Sequence, residues 1–127
     1  MEYNKLPGTD IQVIKICLGT MTWGRQNSES EAFEQMDYSL DKGVNFFDTA
    51  ELYPVPATPD RYADTERIIG NWLESRKTRD KIILASKIAG PGDYTSHIRK
   101  TGFKGNSIED AINGSLERLK TDYIDLY

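Results

Sequence analysis

The sequence predicts an α/β fold, a short hairpin followed by strands and helices in the order βαβαβαβ around a parallel sheet. Three observations predict it. Short apolar runs alternate with longer segments whose apolar residues recur every three or four positions, as in strands joined by crossover helices. The runs are nearly continuous in apolar residues, as in a sheet covered on both faces. Two of them also close on a charged residue: Val44-Asn45-Phe46-Phe47 on Asp48, and Ile82-Ile83-Leu84-Ala85-Ser86 on Lys87. Functional groups of parallel sheets collect just beyond the carboxyl ends of strands.

Taken in order, Tyr3-Asn4-Lys5-Leu6 and Ile11-Gln12-Val13 flank Pro7-Gly8-Thr9-Asp10, a hairpin signal. Ile14-Lys15-Ile16-Cys17-Leu18 reads as the first sheet strand, and Met21 to Asn27 as the loop after it. A helix is expected from Ser28, where Ser28 and Glu31 make a capping box and Gly43 suits the C′ position. After the Asp48 strand, Pro54, Pro56 and Pro59 exclude regular helix. A second helix is expected near Asp64 or Thr65, with Ile68, Ile69, Trp72 and Leu73 on its apolar face. The Lys87 strand and a polar loop, Ala89 to Asn106, precede a third helix from about Ser107. Its expected inward residues are Ile108, Ile112, Ser115, Leu116 and Leu119, and Tyr123-Ile124-Asp125-Leu126-Tyr127 reads as a fourth strand.

The chain has 127 residues, a net charge of −4 and one cysteine. The charge gives no general attraction to nucleic acid or anionic membrane. One cysteine makes no intrachain disulfide and suits a reducing cytosol. No basic start followed by an apolar segment marks a signal peptide, and no apolar stretch approaches the ~20 residues that span a bilayer.

Adjacent strands lie ~4.8 Å apart, so Asp48 and Lys87 can meet at the sheet's edge. The carboxylate would fix the ammonium group, and Tyr53 can turn back over the same spot. A phenol beside an ammonium can donate a proton to a carbonyl oxygen or accept one from an alcohol. Hydride for such a reaction must come from a bound nicotinamide, since no side chain supplies it. A plain Asp–Lys ion pair is the competing reading. His97, Arg99, Lys100 and Lys104 read as solvated loop residues. Cys17 and Trp72 read as core, Trp23 as either pocket lining or packing, and Tyr62 as a secondary rival to Tyr53.

The run Gly43-Val44-Asn45-Phe46-Phe47-Asp48-Thr49-Ala50, with Thr65-Glu66-Arg67-Ile68-Ile69-Gly70 after it, resembles the aldo-keto reductase signature. Leu18-Gly19-Thr20-Met21-Thr22-Trp23-Gly24, Ile83-Leu84-Ala85-Ser86-Lys87 and Asp122-Tyr123-Ile124-Asp125-Leu126-Tyr127 resemble further motifs of that family, in order. Tyr-Pro-Val-Pro after Leu52 and the Gly-Asn-Trp-Leu of the second helix resemble its bacterial Tas-type branch.

The resemblance implies a (β/α)₈ TIM barrel of ~250 residues, of which this chain would be the N-terminal half. It implies NADPH bound without a Rossmann domain, and no Gly-x-Gly-x-x-Gly occurs here. It implies catalytic Asp48, Tyr53 and Lys87, and nicotinamide contacts from Thr20, Met21, Gln26 and Asp48. The partner it implies is a small-molecule carbonyl substrate, with neither nucleic acid nor membrane. Two departures stand out: a long segment between Ala50 and Glu66, and no histidine at the tetrad position, which in the family follows the Asp-Leu-Tyr of strand four. The alternatives are a cofactor-binding module related to the potassium-channel β subunits, or an inactive half-barrel that self-associates or complements another half.

Overall fold

The computed structural model describes residues 2–127. Strands β1 (Tyr3–Lys5) and β2 (Gln12–Ile14) form the expected antiparallel hairpin, with Tyr3 opposite Ile14. Gly8 turns it with a φ of +75°, a value glycine adopts without a Cβ clash. Asn45 ties the hairpin to the sheet: its Oδ1 accepts from the Ile14 amide (3.1 Å) and its Nδ2 donates to the Gln12 carbonyl (3.1 Å). Asn45 immediately precedes β4, so the hairpin sits at the amino end of the sheet, opposite Asp48.

The sheet itself is parallel, in the order β3 (Cys17–Gly19), β4 (Phe46–Asp48), β5 (Ile83–Ala85). Its register places Gly19 beside Asp48 and Asp48 beside Ala85. Helices α1 (Glu29–Asp41), α2 (Asp64–Arg76) and α3 (Ser107–Leu119) fall where the periodicity predicts. The Ser28–Glu31 capping box is formed in both directions, and Gly43 follows α1 with a φ of +83°. The core is the packing of Phe47 and Leu84 against Trp72, Ile69 and Met36, with the Phe47 and Trp72 rings 5.8 Å apart. Trp72 is fully buried while its indole nitrogen donates to Asp37 (2.7 Å), so its polar edge is satisfied at the boundary. Among the described residues, no helix is long and apolar enough to cross a membrane.

Four expectations need correction. The first strand is broken: β2 ends at Ile14, the chain bends through Lys15 and an exposed Ile16, and β3 starts at Cys17. The break follows from Asn45 holding Ile14 in the hairpin layer. Cys17 is exposed, because β3 is the edge of the three-stranded sheet. The fourth strand is reduced to a single parallel bridge between Ala85 and Leu126. Its ladder is interrupted by a side chain, since the Leu84 amide donates to Asp125 Oδ2 (2.8 Å) rather than to a strand carbonyl.

The inward face of α3 is also rotated from the expected one. Ser107, Ala111, Ser115 and Leu119 are buried, whereas Ile108 is exposed. The reason is close approach. A Cβ on Gly70 of α2 would overlap the carbonyl oxygen of Arg118, so the last turn of α3 lies hard against α2 and turns Leu119 inward.

Candidate active site

The sheet register brings Asp48 and Lys87 together. Asp48 ends β4 beside Ala85, and Lys87 lies two residues past Ala85 on the adjoining segment. Past the assigned strands the pairing continues: the Thr49 amide donates to the Ala85 carbonyl (2.9 Å) and the Glu51 amide to the Lys87 carbonyl (3.1 Å). Lys87 Nζ then donates to both Asp48 oxygens (2.9 Å each) and to the Thr49 carbonyl (2.7 Å). Three acceptors around one ammonium fix it as a point charge.

Tyr53 follows in the same loop, its amide donating to the Ala50 carbonyl (3.1 Å), and Lys87 Nζ lies 4.9 Å from the centre of its ring. That distance is within cation–π range. The structure thus gathers Asp48, Tyr53 and Lys87 at one end of the sheet. Asp48 and Lys87 keep 39% and 44% of their side chains exposed, so the cluster is reachable.

Thr20 and Met21 leave β3 at the same end. Thr20 is fully buried and its hydroxyl donates to the Asp48 carbonyl (2.8 Å), which aligns β3 with β4. Met21 is half exposed, and its carbonyl accepts from the Val55 amide (3.0 Å). Gln26 is exposed, further round the loop, where its amide donates to the Thr22 carbonyl (3.0 Å). Trp23 is only 1% exposed and packs in the core, its indole nitrogen donating to Gln35 (3.0 Å), so it does not line the site.

The long segment after Tyr53 is pinned at both feet. Val55 is bound to Met21, and the Thr65 hydroxyl donates to the Trp23 carbonyl (2.6 Å). Between them, Tyr62 meets His97 edge-on, ring centres 5.9 Å apart. His97 is therefore not a solvated loop residue; its Nε2 is buried and lacks a hydrogen-bond partner.

Arg99 is a second correction. Rather than being solvated, it forms a two-pronged ion pair with Glu51 (2.8 and 2.9 Å), the side chains 13% and 4% exposed. Glu51 Oε2 also accepts from the Ala89 amide (2.8 Å). Burial works against a charged Glu51, but the Arg99 guanidinium and the Ala89 amide outweigh it and hold the carboxyl below its ordinary range. The Glu51 hydrogen bonds likewise raise Arg99. A second buried carboxylate, Glu66, accepts from Ser86 Oγ (2.6 Å) and Arg118 Nε (2.7 Å), joining α2, the end of β5 and α3. Between these charges, burial and the Glu51 and Glu66 carboxylates push the Tyr127 phenol up to about 12.

Sequence reasoning overlooked both networks. The available signal was a carboxylate, Glu51 or Glu66, embedded among residues that must be buried. A concavity of about 930 Å³, lined by Lys77, Leu116 and Tyr123 among others, is formed by the segment before β5, the last turn of α3 and the residues after it, and by none of the Asp48 cluster.

Comparison with known proteins bears on family and fold. The sequence model described as the Aldo/keto reductase family matches residues 15–127. Protein tas of Escherichia coli is 43% identical over the whole chain, which spans 37% of that protein's length. Norsolorinic acid reductase A of Aspergillus parasiticus is 33% identical over 94% of the chain and 32% of its own length. A solved structure from Pseudomonas aeruginosa, described as an aldo-keto reductase, superposes with a TM-score of 0.74 at 26% identity. It is matched over 96% of this chain and 43% of its own. The chain therefore spans well under half of the proteins it resembles, and its fold is part of their barrel.

Proposed function

Because the chain belongs to the aldo/keto reductase family, we propose that the full-length protein is a cytoplasmic enzyme that reduces aldehydes or ketones to alcohols with NADPH. The observation that carries this reading is the Lys87 ammonium, held by Asp48 and Thr49 and set 4.9 Å from the ring centre of Tyr53. Such a group has an evident use when the phenol beside it must part with a proton.

In this reading Tyr53 donates its proton to the carbonyl oxygen of the substrate. Lys87 stabilises the negative charge that develops on the phenol oxygen. Asp48 keeps Lys87 charged and oriented. NADPH supplies the hydride when bound. The residues at this end fit the nicotinamide portion of such a cofactor: Met21 offers a half-exposed apolar side chain at the same end of the sheet as the part-exposed Asp48 and Lys87. Thr20, Met21, Gln26 and Asp48 would hold it, with Thr20 acting through the Asp48 carbonyl to which its hydroxyl is committed.

The test is Tyr53→Phe in the full-length protein. Removing the general acid lowers the reduction rate by ~10²-fold or more, while NADPH binding, followed by its fluorescence, is unchanged. Reduction at the parental rate would overturn the assignment. NADPH bound but never consumed, across a panel of aldehydes and ketones, would instead favour a cofactor-holding interaction module.

A further inference from the structure

Glu51 lies between Asp48 and Tyr53, yet it has no part in the proton transfer above. Its contacts give it another. Through its backbone amide it binds the carbonyl of Lys87, and through its side chain it binds the amide of Ala89. One residue therefore grips the neighbouring segment on both sides of Ile88. Both carboxylate oxygens are also taken by Arg99, which reaches in from the middle of the loop between β5 and α3. A carboxylate 4% exposed and satisfied by three donors has little freedom to move. The loop carrying Tyr53 and the segment carrying Lys87 are thus joined by a second connection, independent of the Asp48–Lys87 contact.

We propose that Glu51 is a positioning residue that sets the distance between Tyr53 and Lys87, with Arg99 as the bolt that holds it there. The kinetic part of this inference rests on the carbonyl-reductase reading; the structural part does not.

The experiment uses Glu51→Gln, Arg99→Gln and the double variant of the full-length protein, with Arg99→Lys as the mild member of the series. Expected is a fall in kcat of ~10-fold or more for each single Gln variant, with the KM for NADPH changed less than about twofold. The double variant loses about as much as either single one, since groups acting as a unit are not additive. Arg99→Lys, which keeps the charge without the two-pronged geometry, falls between parent and Arg99→Gln.

Amide hydrogen exchange gives a readout apart from activity. In Glu51→Gln, exchange at Glu51, Tyr53 and Ala89 should quicken ~10-fold or more relative to α1. The inference is overturned if only Ala89 quickens, if kcat holds at the parental value, or if α1 loses protection to the same degree, which marks plain destabilisation. Should the parent reduce no carbonyl at all, the functional reading fails by itself. The exchange pattern then decides: quickening across both segments upholds the positioning role, and quickening confined to Ala89 removes it. If Glu51→Gln does not fold, Arg99→Lys is judged by the same exchange criteria.

Discussion

Lys87 and Glu66 are both paired with an opposite charge, and their surroundings give the two pairs different worth. The Asp48–Lys87 pair is 39% and 44% exposed, so water screens it and its net contribution to stability is within about 1 kcal/mol. Lys87→Met should therefore shift the urea unfolding free energy by no more than about 1 kcal/mol, while on the proposed function it removes most reductase activity of the full-length protein. The Glu66 side chain is fully buried against Arg118 and Ser86. Glu66→Ala leaves the Arg118 guanidinium without its partner, and should cost about 3–5 kcal/mol in the same measurement. Acid sensitivity follows from Glu51. Its folded-state value lies below the ordinary one, so its contribution is complete above the usual carboxylate range. It is lost as pH falls through the depressed value. Glu51→Gln should flatten that part of the stability–pH curve below about pH 4.5, its ordinary value, and leave the neutral limb parallel to the parent's. Thermal unfolding across an acid pH series measures this.

At the scale of elements, the contact between α2 and α3 sets the limits. Gly70 leaves no room for a Cβ against the Arg118 carbonyl. Gly70→Ala gains helix propensity of up to ~1 kcal/mol but forces the helices apart, an overpacking cost of ~1–3 kcal/mol. The net expectation is lower stability, checked by the urea midpoint, and the Glu66–Arg118 contact loosens with it. Increased stability would show that α3 can shift freely. This contact also explains which parts of the fold were legible. Helix α1 could be read directly, because Ser28, Glu31 and Gly43 are local signals that need no partner. The face of α3 could not, because the large apolar Ile108 outweighs Ser107, Ala111 and Ser115 until the close approach of α2 to the helix's last turn shows which side faces in. Nor could the weak fourth strand, whose ladder is displaced by the carboxylate of Asp125 reaching Leu84.

For the molecule as a whole, the exposed surface includes the β3 edge and the large apolar side chains Ile16, Ile108, Leu126 and Tyr127. An unpaired strand edge with apolar neighbours is a template for association. The polypeptide of residues 1–127, produced by itself, should therefore self-associate, with a sedimentation coefficient that rises with concentration. A concentration-independent monomer would contradict this. The candidate site was more legible than its supports. Asp48 ends a strand, and Tyr53 and Lys87 follow strand ends within a few residues, so short local motifs announce them. Arg99 finds its carboxylate 48 positions away, and nothing local to a polar loop announces such a meeting.

The segment from Val55 to Thr65 is fastened at its two feet, to Met21 and to Trp23. Its middle is moored as well, Thr58 Oγ1 accepting from Arg25 (2.8 Å) and Arg61 donating to the Gly24 carbonyl (3.1 Å), so any re-cut of that stretch has to rebuild its ties to the loop from Met21 to Asn27.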